Sequence, residues 1–82
     1  MRKVIIYSRP GCHLCEVAKS VIQQSDCGGK YTLDEVNIET DEKLLSRYKN
    51  DIPVILIDGV EAFRHRVTAD EFDKAILKGQ TD

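Results

Sequence analysis

Two short runs of apolar residues constrain the fold of this chain more than any other feature. The first covers residues 3–8, Lys-Val-Ile-Ile-Tyr-Ser, and the second covers residues 54–57, Val-Ile-Leu-Ile. Both runs are too short for a buried helix and are rich in β-branched residues, so each predicts a strand. Because apolar side chains occupy both faces of such a strand, we expect both strands at the centre of a sheet that is covered on both sides.

Three further segments have the pattern of amphipathic helices. From Leu14 the apolar residues fall at positions 14, 17, 18, 21 and 22, which predicts a helix that begins close to Cys12. A second, short helix is expected after the capping residues Thr40 and Asp41. Residues 68–71, Thr-Ala-Asp-Glu, have the sequence of a capping box, so a third helix is expected from there to about Gly79.

The remaining strands follow from the turn residues between these segments. Residues 31–38 are expected to form a second strand, and Asp58-Gly59 predicts a hairpin turn that leads into an edge strand over residues 60–66. The first β-α-β unit predicts parallel strands, whereas the hairpin predicts an antiparallel pair. We therefore expect one α/β domain over residues 1–82, of order β-α-β-α-β-β-α, with a mixed four-stranded sheet and helices on both faces.

Composition and charge exclude several classes of function. The chain has 82 residues, of which 41% are hydrophobic and 32% charged, which is typical of one small globular domain. A net charge of −2 and a pI near 5.6 give no electrostatic case for binding nucleic acid or an anionic membrane. The apolar run Val4–Tyr7 is far shorter than a secretory core or the ~20 residues of a membrane span. We expect a cytoplasmic protein.

Cys12 and Cys15 form a Cys-x-x-Cys pair at the start of the first predicted helix. The chain has three cysteines, an odd number that argues against a structural disulfide framework. Free N–H groups and the helix dipole stabilise a thiolate at this position, so we expect the pKa of Cys12 to be lowered and Cys12 to be a nucleophile. Cys15, one turn further along, is expected to be buried and to act as the resolving thiol.

Two neighbouring side chains are candidates for tuning the thiolate. Arg9 stands three residues before Cys12 and can place a full positive charge close to it. His13 follows Cys12 directly and, as an imidazolium, would favour the thiolate further. A solvent-facing His13 with little influence is an equally good interpretation.

A metal site is the main alternative for the two thiols. A structural zinc site uses four ligands, and Cys27 and His65 could complete one only if the fold brings them to the pair. At 1.5 Å per helical residue Cys27 would lie about 20 Å from Cys12, which excludes a tetrahedral site. Glu16 stands where a c-type haem motif needs histidine. We therefore expect no metal within this chain.

Pro53 stands at the first position of a predicted central strand, where a proline fits. Only about 5% of X–Pro bonds in folded proteins are cis, so frequency alone predicts a trans bond. A cis bond would instead turn the backbone of Ile52 outward, where it could pair with an extended substrate through main-chain hydrogen bonds.

The stretches YSRPGCHLC (residues 7–15) and IPVILIDG (residues 52–59) together resemble the glutaredoxins of the thioredoxin superfamily, and most closely a small subgroup with Cys-x-Leu-Cys. The resemblance implies a thioredoxin-like fold and a cis bond before Pro53. It also implies that Cys12 is the nucleophile and Cys15 the resolving thiol.

Two further positions can be compared with that family. Arg9 matches a basic residue that glutaredoxins often carry three positions before the nucleophile. Phe63-Arg64 stands about where glutaredoxins carry Gly-Gly, which lets the backbone of glutathione approach closely. Side chains at these two positions would obstruct that approach.

From these observations we expect a monomeric thiol–disulfide oxidoreductase without a bound cofactor. Its substrate would be a disulfide-containing protein or a low-molecular-weight thiol, bound at Ile52 and Pro53. Its electron donor would be glutathione or a thioredoxin-type reductase. Two alternatives stay open at this point: a binding or adaptor module with non-catalytic thiols, and an iron–sulfur carrier that bridges two subunits.

Overall fold

The computed structural model describes residues 2–25 and 28–78. Within these residues the order of strands and α-helices is the predicted β-α-β-α-β-β-α. The bounds are β1 Arg2–Ser8, α1 His13–Gln23, β2 Tyr31–Asn37, α2 Glu42–Tyr48, β3 Val54–Ile57, β4 Val60–Arg64 and α3 Ala69–Lys78, with short 3₁₀ helices at Gly28–Lys30 and Ile38–Thr40.

The four strands form one mixed sheet in the order β2-β1-β3-β4. Strand β1 is parallel to β2 and antiparallel to β3, and β3 is antiparallel to β4. The two apolar runs therefore occupy the two central positions of the sheet, as predicted, and the polar strand β4 lies at an edge. This arrangement is the thioredoxin-like fold that the resemblance implied.

The register of the sheet brings several functional segments to the carboxyl end of β1. Tyr7 pairs with Val54, so Pro53 lies at this end of the sheet. Ser8 pairs with Asn37, so the end of β2 lies here as well. Because the turn into α1 follows Ser8 directly, both cysteines are held at the same end.

The sheet is packed on both faces, as predicted. Residues of α1 and α3 cover one face and form a larger core with the strands. This larger core contains Val4, Ile6, Ala18, Ile22, Ile55, Ile57, Val67, Phe72 and Ile76. Residues of α2 cover the other face, where a smaller core contains Ile38, Tyr48 and Val54.

The buried face of α1 differs from the apolar pattern that predicted this helix. Cys15, Ala18 and Ile22 are buried, whereas Leu14 and Val17 are each 46% exposed. Placing Leu14 and Val17 on the core-facing side of the helix is therefore wrong. Cys15 and Ala18 lie three residues apart and Ala18 and Ile22 four, so these three side chains form the stripe that meets the sheet.

Local geometry at the ends of the elements confirms the capping box, the hairpin turn and the cap at Asp41. Thr40 is not a cap of α2, because it lies in the 3₁₀ helix Ile38–Thr40 and its hydroxyl donates to the carbonyl of Asn37 at 2.8 Å. The side chain of Asp41 caps α2 by accepting hydrogen bonds from two backbone N–H groups. In the capping box of α3, the backbone N–H groups of Thr68 and Glu71 each donate to the other residue's side chain at 3.1 Å. Asp58 and Gly59 have φ angles of 52° and 84°, as a type I′ hairpin turn requires.

Some predicted boundaries need correction. Strand β2 ends at Asn37 rather than at Ile38, because Ile38 begins a 3₁₀ helix and is buried in the smaller core. Strand β4 ends at Arg64 rather than at residue 66, since His65 has a φ angle of 74° and leaves the extended region. Cys27 and the predicted end of α3 near Gly79 lie outside the described residues. In the part of the chain that the structure describes, no helix has the length and apolar character to cross a membrane.

Candidate active site

A tight turn connects β1 to α1 and places Cys12 at the helix start. The backbone N–H of Cys12 donates to the carbonyl of Arg9 at 3.3 Å, which closes a four-residue turn. Pro10 and Gly11 occupy its centre, and the φ angle of Gly11 is 81°. A type II turn favours proline and then requires a positive φ, so these two residues specify the turn.

Cys12 and Cys15 are joined by a disulfide, with their Cα atoms 5.3 Å apart. Cys12 is the N-cap of α1, and its Sγ accepts a hydrogen bond from the backbone N–H of Cys15 at 3.2 Å. Cys12 is partly exposed, whereas Cys15 is only 1% exposed. The predicted burial of Cys15 is confirmed, and Cys12 is the more accessible residue of the pair.

The two residues predicted to tune Cys12 are placed differently. Nε of Arg9 lies 3.4 Å from Oε2 of Glu39, so the positive charge of Arg9 is balanced by a carboxylate. His13 is the first residue of α1, and its side chain is exposed. Their effect on the thiolate stays a prediction.

A polar network beneath α1 was not predicted from the sequence. Glu35 on β2 accepts a hydrogen bond from the buried hydroxyl of Ser8 at 2.9 Å, and Nζ of Lys19 lies 2.9 Å from its other oxygen. The hydrogen bond from Lys19, followed by that from Ser8, lowers the pKa of Glu35, and the same bond to Glu35 raises the pKa of Lys19. The network joins β1, β2 and α1 close to the cysteines.

An open cleft of about 560 Å³ adjoins the turn before Cys12 on the β2 side. Its lining includes the carboxylates of Glu16 and Glu35 and the side chain of Arg9. The remaining lining residues are Ser8, Pro10, Gly11 and Asn37.

Pro53 follows a cis peptide bond, which confirms the expectation from the resemblance and not the one from frequency. The carbonyl of Pro53 accepts a hydrogen bond from the backbone N–H of His65 at 2.7 Å. The backbone N–H of Ile52 donates to the carbonyl of Tyr48 at 3.2 Å. Since this N–H is engaged within the protein, a substrate strand could pair with Ile52 only through its carbonyl.

A cluster of charged side chains borders Pro53 on the β4 side. Arg64 forms two hydrogen bonds with Glu61, at 2.9 and 2.8 Å, and lies 3.3 Å from Asp51. The hydrogen bond between Arg64 and Glu61 raises the pKa of the arginine and lowers that of the glutamate. Nε2 of His65 lies 3.6 Å from the other oxygen of Asp51. The guanidinium of Arg64 and the imidazole of His65 therefore face carboxylates of the protein itself.

Comparisons with known proteins place this site in a wider context. The family model described as Glutaredoxin-like domain (DUF836) matches residues 3–77. The chain is 34% identical over 71 residues to the "Glutaredoxin-like protein YDR286C homolog" of Dictyostelium discoideum. That alignment covers 79% of this chain and 66% of the relative, so the chain spans just under two thirds of that protein's length.

Solved structures show the same fold. A protein of X. campestris, structural genomics target XcR50, superposes with a TM-score of 0.76 at 26% identity, covering 95% of this chain and 99% of that one. A mutant thioredoxin from Halobacterium salinarum superposes with a TM-score of 0.62 at 16% identity, covering 99% of this chain and 76% of that one. At such low identity the second likeness supports the fold alone.

Proposed function

This chain belongs to the glutaredoxin-like domain family, and on that premise we propose that it is a thiol–disulfide oxidoreductase whose redox centre is the Cys12–Cys15 pair. The observation that carries the proposal is the difference between the two sulfurs. Cys12 is accessible and caps the helix, while Cys15 is buried one turn away. In such a pair, substrate sulfurs can exchange with Cys12 one at a time.

In the reduced protein the sulfur of Cys12 is the attacking group. The backbone N–H of Cys15 and the positive end of the dipole of α1 both stabilise a negative charge on that sulfur. Attack on a substrate disulfide forms a bond between Cys12 and one substrate sulfur and releases the other as a thiolate. Cys15 then attacks Cys12, its proton passes to the departing sulfur, and the second substrate sulfur is released as a thiol.

The net reaction transfers two electrons from the two thiols of the protein to the substrate disulfide. The protein finishes in the disulfide state that the structure shows, and the substrate finishes as two thiols. A low-molecular-weight thiol or a reductase returns the pair to the dithiol state by the reverse exchange. No metal or organic cofactor takes part in these steps.

Cysteine variants test the proposal in a disulfide-reduction assay. Cys12→Ser removes the nucleophile and is expected to abolish turnover. Cys15→Ser leaves the first step intact, so it is expected to accumulate a mixed disulfide between Cys12 and the substrate, visible by mass spectrometry.

Cys27→Ser is the matched control, because it removes the third thiol and is expected to retain activity. Full activity of Cys12→Ser would refute the assignment. Absence of disulfide exchange by the unaltered protein would favour an adaptor with non-catalytic thiols.

A further inference from the structure

An exposed apolar ridge runs along α1 from the disulfide. Leu14 lies between the two cysteines in sequence, and Val17 follows it by three residues on the same side of the helix. Both side chains are 46% exposed, although the rest of the helix buries its apolar stripe in the larger core. Water-exposed apolar groups next to a reactive sulfur favour a partner that also presents an apolar side chain there.

Positive groups at this end of the sheet are already balanced by carboxylates of the protein. Arg9 faces Glu39, and Lys19 is hydrogen-bonded to Glu35. On the other side of the site Arg64 and His65 face acidic side chains, as described above. Arg66 lies beside them in sequence and is exposed. Its single positive charge can pair with at most one carboxylate of a ligand.

The cleft beside Cys12 has an excess of negative charge. Among the described residues that line it, Arg9 is paired with Glu39 and Glu35 with Lys19, so the excess is the single carboxylate of Glu16. Glutathione has two carboxylates and one ammonium group, so its disulfide has a net negative charge. That charge is repelled by the cleft and finds few unpaired cations around it.

We propose that the preferred substrate of this site is a polypeptide disulfide with an apolar side chain next to the reacting cysteine, and that glutathione disulfide is a poor substrate. The inference rests on the proposed function, because it specifies what the Cys12–Cys15 pair reduces. The apolar side chain packs on Leu14 and Val17 while Cys12 forms the mixed disulfide. Release by Cys15 then leaves the polypeptide with two free thiols.

Three symmetric disulfides test the preference in stopped-flow reactions with the reduced protein. One is made from N-acetyl-Gly-Cys-Leu-amide, one from N-acetyl-Gly-Cys-Gly-amide, and the third is glutathione disulfide. Each rate constant is divided by that for dithiothreitol with the same disulfide, which removes intrinsic reactivity. We expect the leucine disulfide to react about tenfold faster than the glycine disulfide, as partial burial of one leucine side chain implies, and glutathione disulfide to react slowest.

Surface variants assign the preference to the ridge. Leu14→Ser and Val17→Ser are each expected to slow the leucine disulfide about three- to tenfold and to change the glutathione rate less than twofold. Val60→Ser removes an equally apolar side chain that is 68% exposed in β4, and it is expected to leave all three rates unchanged.

A charge variant tests the pairing of Arg9. Glu39→Gln frees the guanidinium and is expected to raise the rate with glutathione disulfide about two- to fivefold, the range of a surface ion pair. Asp34→Asn removes one negative charge from an exposed position on β2 and is the control for net charge.

The outcomes separate this inference from the proposed function. If the reduced protein exchanges with none of the three disulfides, the proposed function fails. If it exchanges but reduces glutathione disulfide as fast as the leucine disulfide, the substrate preference is wrong. The same holds if Leu14→Ser and Val17→Ser slow the leucine disulfide no more than Val60→Ser does.

Discussion

The two faces of the sheet hold the two halves of the candidate site in different ways. Among the residues that the structure describes, the larger core has nine buried members, and through Ala18 and Ile22 it anchors the helix that carries both cysteines. The smaller core has three, and two of them, Tyr48 and Val54, lie on either side of Pro53 in sequence. The disulfide is therefore supported by the deeper core and the cis-proline turn by the shallower one.

The difference suggests that stability and substrate binding are separable in this protein. A change in the larger core acts on the whole sheet, since side chains of β1, β3, α1 and α3 all meet there. A change in the smaller core acts on α2 and on the backbone around Pro53, where the Ile52 amide is held by the carbonyl of Tyr48. A change in the larger core should mainly lower the free energy of unfolding, whereas a change in the smaller core should also alter the kinetics of disulfide exchange.

The largest effect is expected for Phe72→Ala in the larger core. Phe72 is fully buried and packs edge-on against Tyr31, with ring centroids 5.2 Å apart. Removing the ring leaves a cavity, so we expect a loss of about 3–5 kcal/mol in the free energy of unfolding. Urea denaturation measures it. Leu77→Ala is the control on the same helix; this side chain is 45% exposed, and its loss should cost less than about 0.5 kcal/mol.

A matched pair of isoleucine variants compares the two cores directly. Ile38→Ala in the smaller core and Ile76→Ala in the larger core both remove a fully buried side chain, and each should cost about 2–5 kcal/mol. Under conditions in which both remain folded, only Ile38→Ala should raise the KM for a peptide disulfide. Equal kinetics of the two variants would contradict the assignment of the smaller core to the Pro53 turn.

A smaller effect is expected at the start of α3, on the face of the larger core. Thr68→Ala removes the hydroxyl that accepts from the Glu71 N–H and should cost about 1 kcal/mol in thermal or urea unfolding. Thr68→Ser retains the hydroxyl and should recover most of the loss. If the alanine and serine variants are equally stable, the capping bond contributes nothing measurable.

Sequence patterns predicted the elements well because each one carries its own local signal. The capping box at Thr68–Glu71, the Asp58-Gly59 turn and the two apolar runs depend on neighbouring residues alone, and all are found in the structure. The burial of Cys15 followed in the same way from its place one turn into a helix.

Other features depend on residues far apart in sequence, so local patterns could not supply them. The exposure of Leu14 and Val17 is decided by how α1 lies on the sheet, since Cys15 takes the core-facing position. The contact of Ser8 with Glu35 requires the parallel register of β1 and β2. The sequence feature that accompanies this contact is a break in the apolar alternation of β2 between Leu33 and Val36, the interval that contains Glu35.

The smallest effect on stability is expected for the hydrogen bonds of Glu35 with Ser8 and Lys19, which join α1 to the larger-core face of the sheet. Because hydrogen bonds from Lys19 and Ser8 lower the pKa of Glu35 in the folded protein, the ionised carboxylate stabilises the fold at pH values above the pKa of the unfolded chain, about 4.3. This contribution is lost as the pH falls through the lower, folded pKa. Since the pair is about one third exposed and screened by solvent, we expect only a small contribution to stability at neutral pH.

Urea denaturation of Glu35→Gln at a series of pH values measures this contribution. The variant should be less stable than the unaltered protein at pH 7, and the difference should shrink as the pH falls below the pKa of the unfolded chain and through the lower pKa of the folded protein. Asp34→Asn, next to it on the same strand and exposed, should show a smaller difference at pH 7. A stability difference for Glu35→Gln that is the same at pH 7 and pH 3 would mean that packing of the side chain, and not its charge, joins the helix to the sheet.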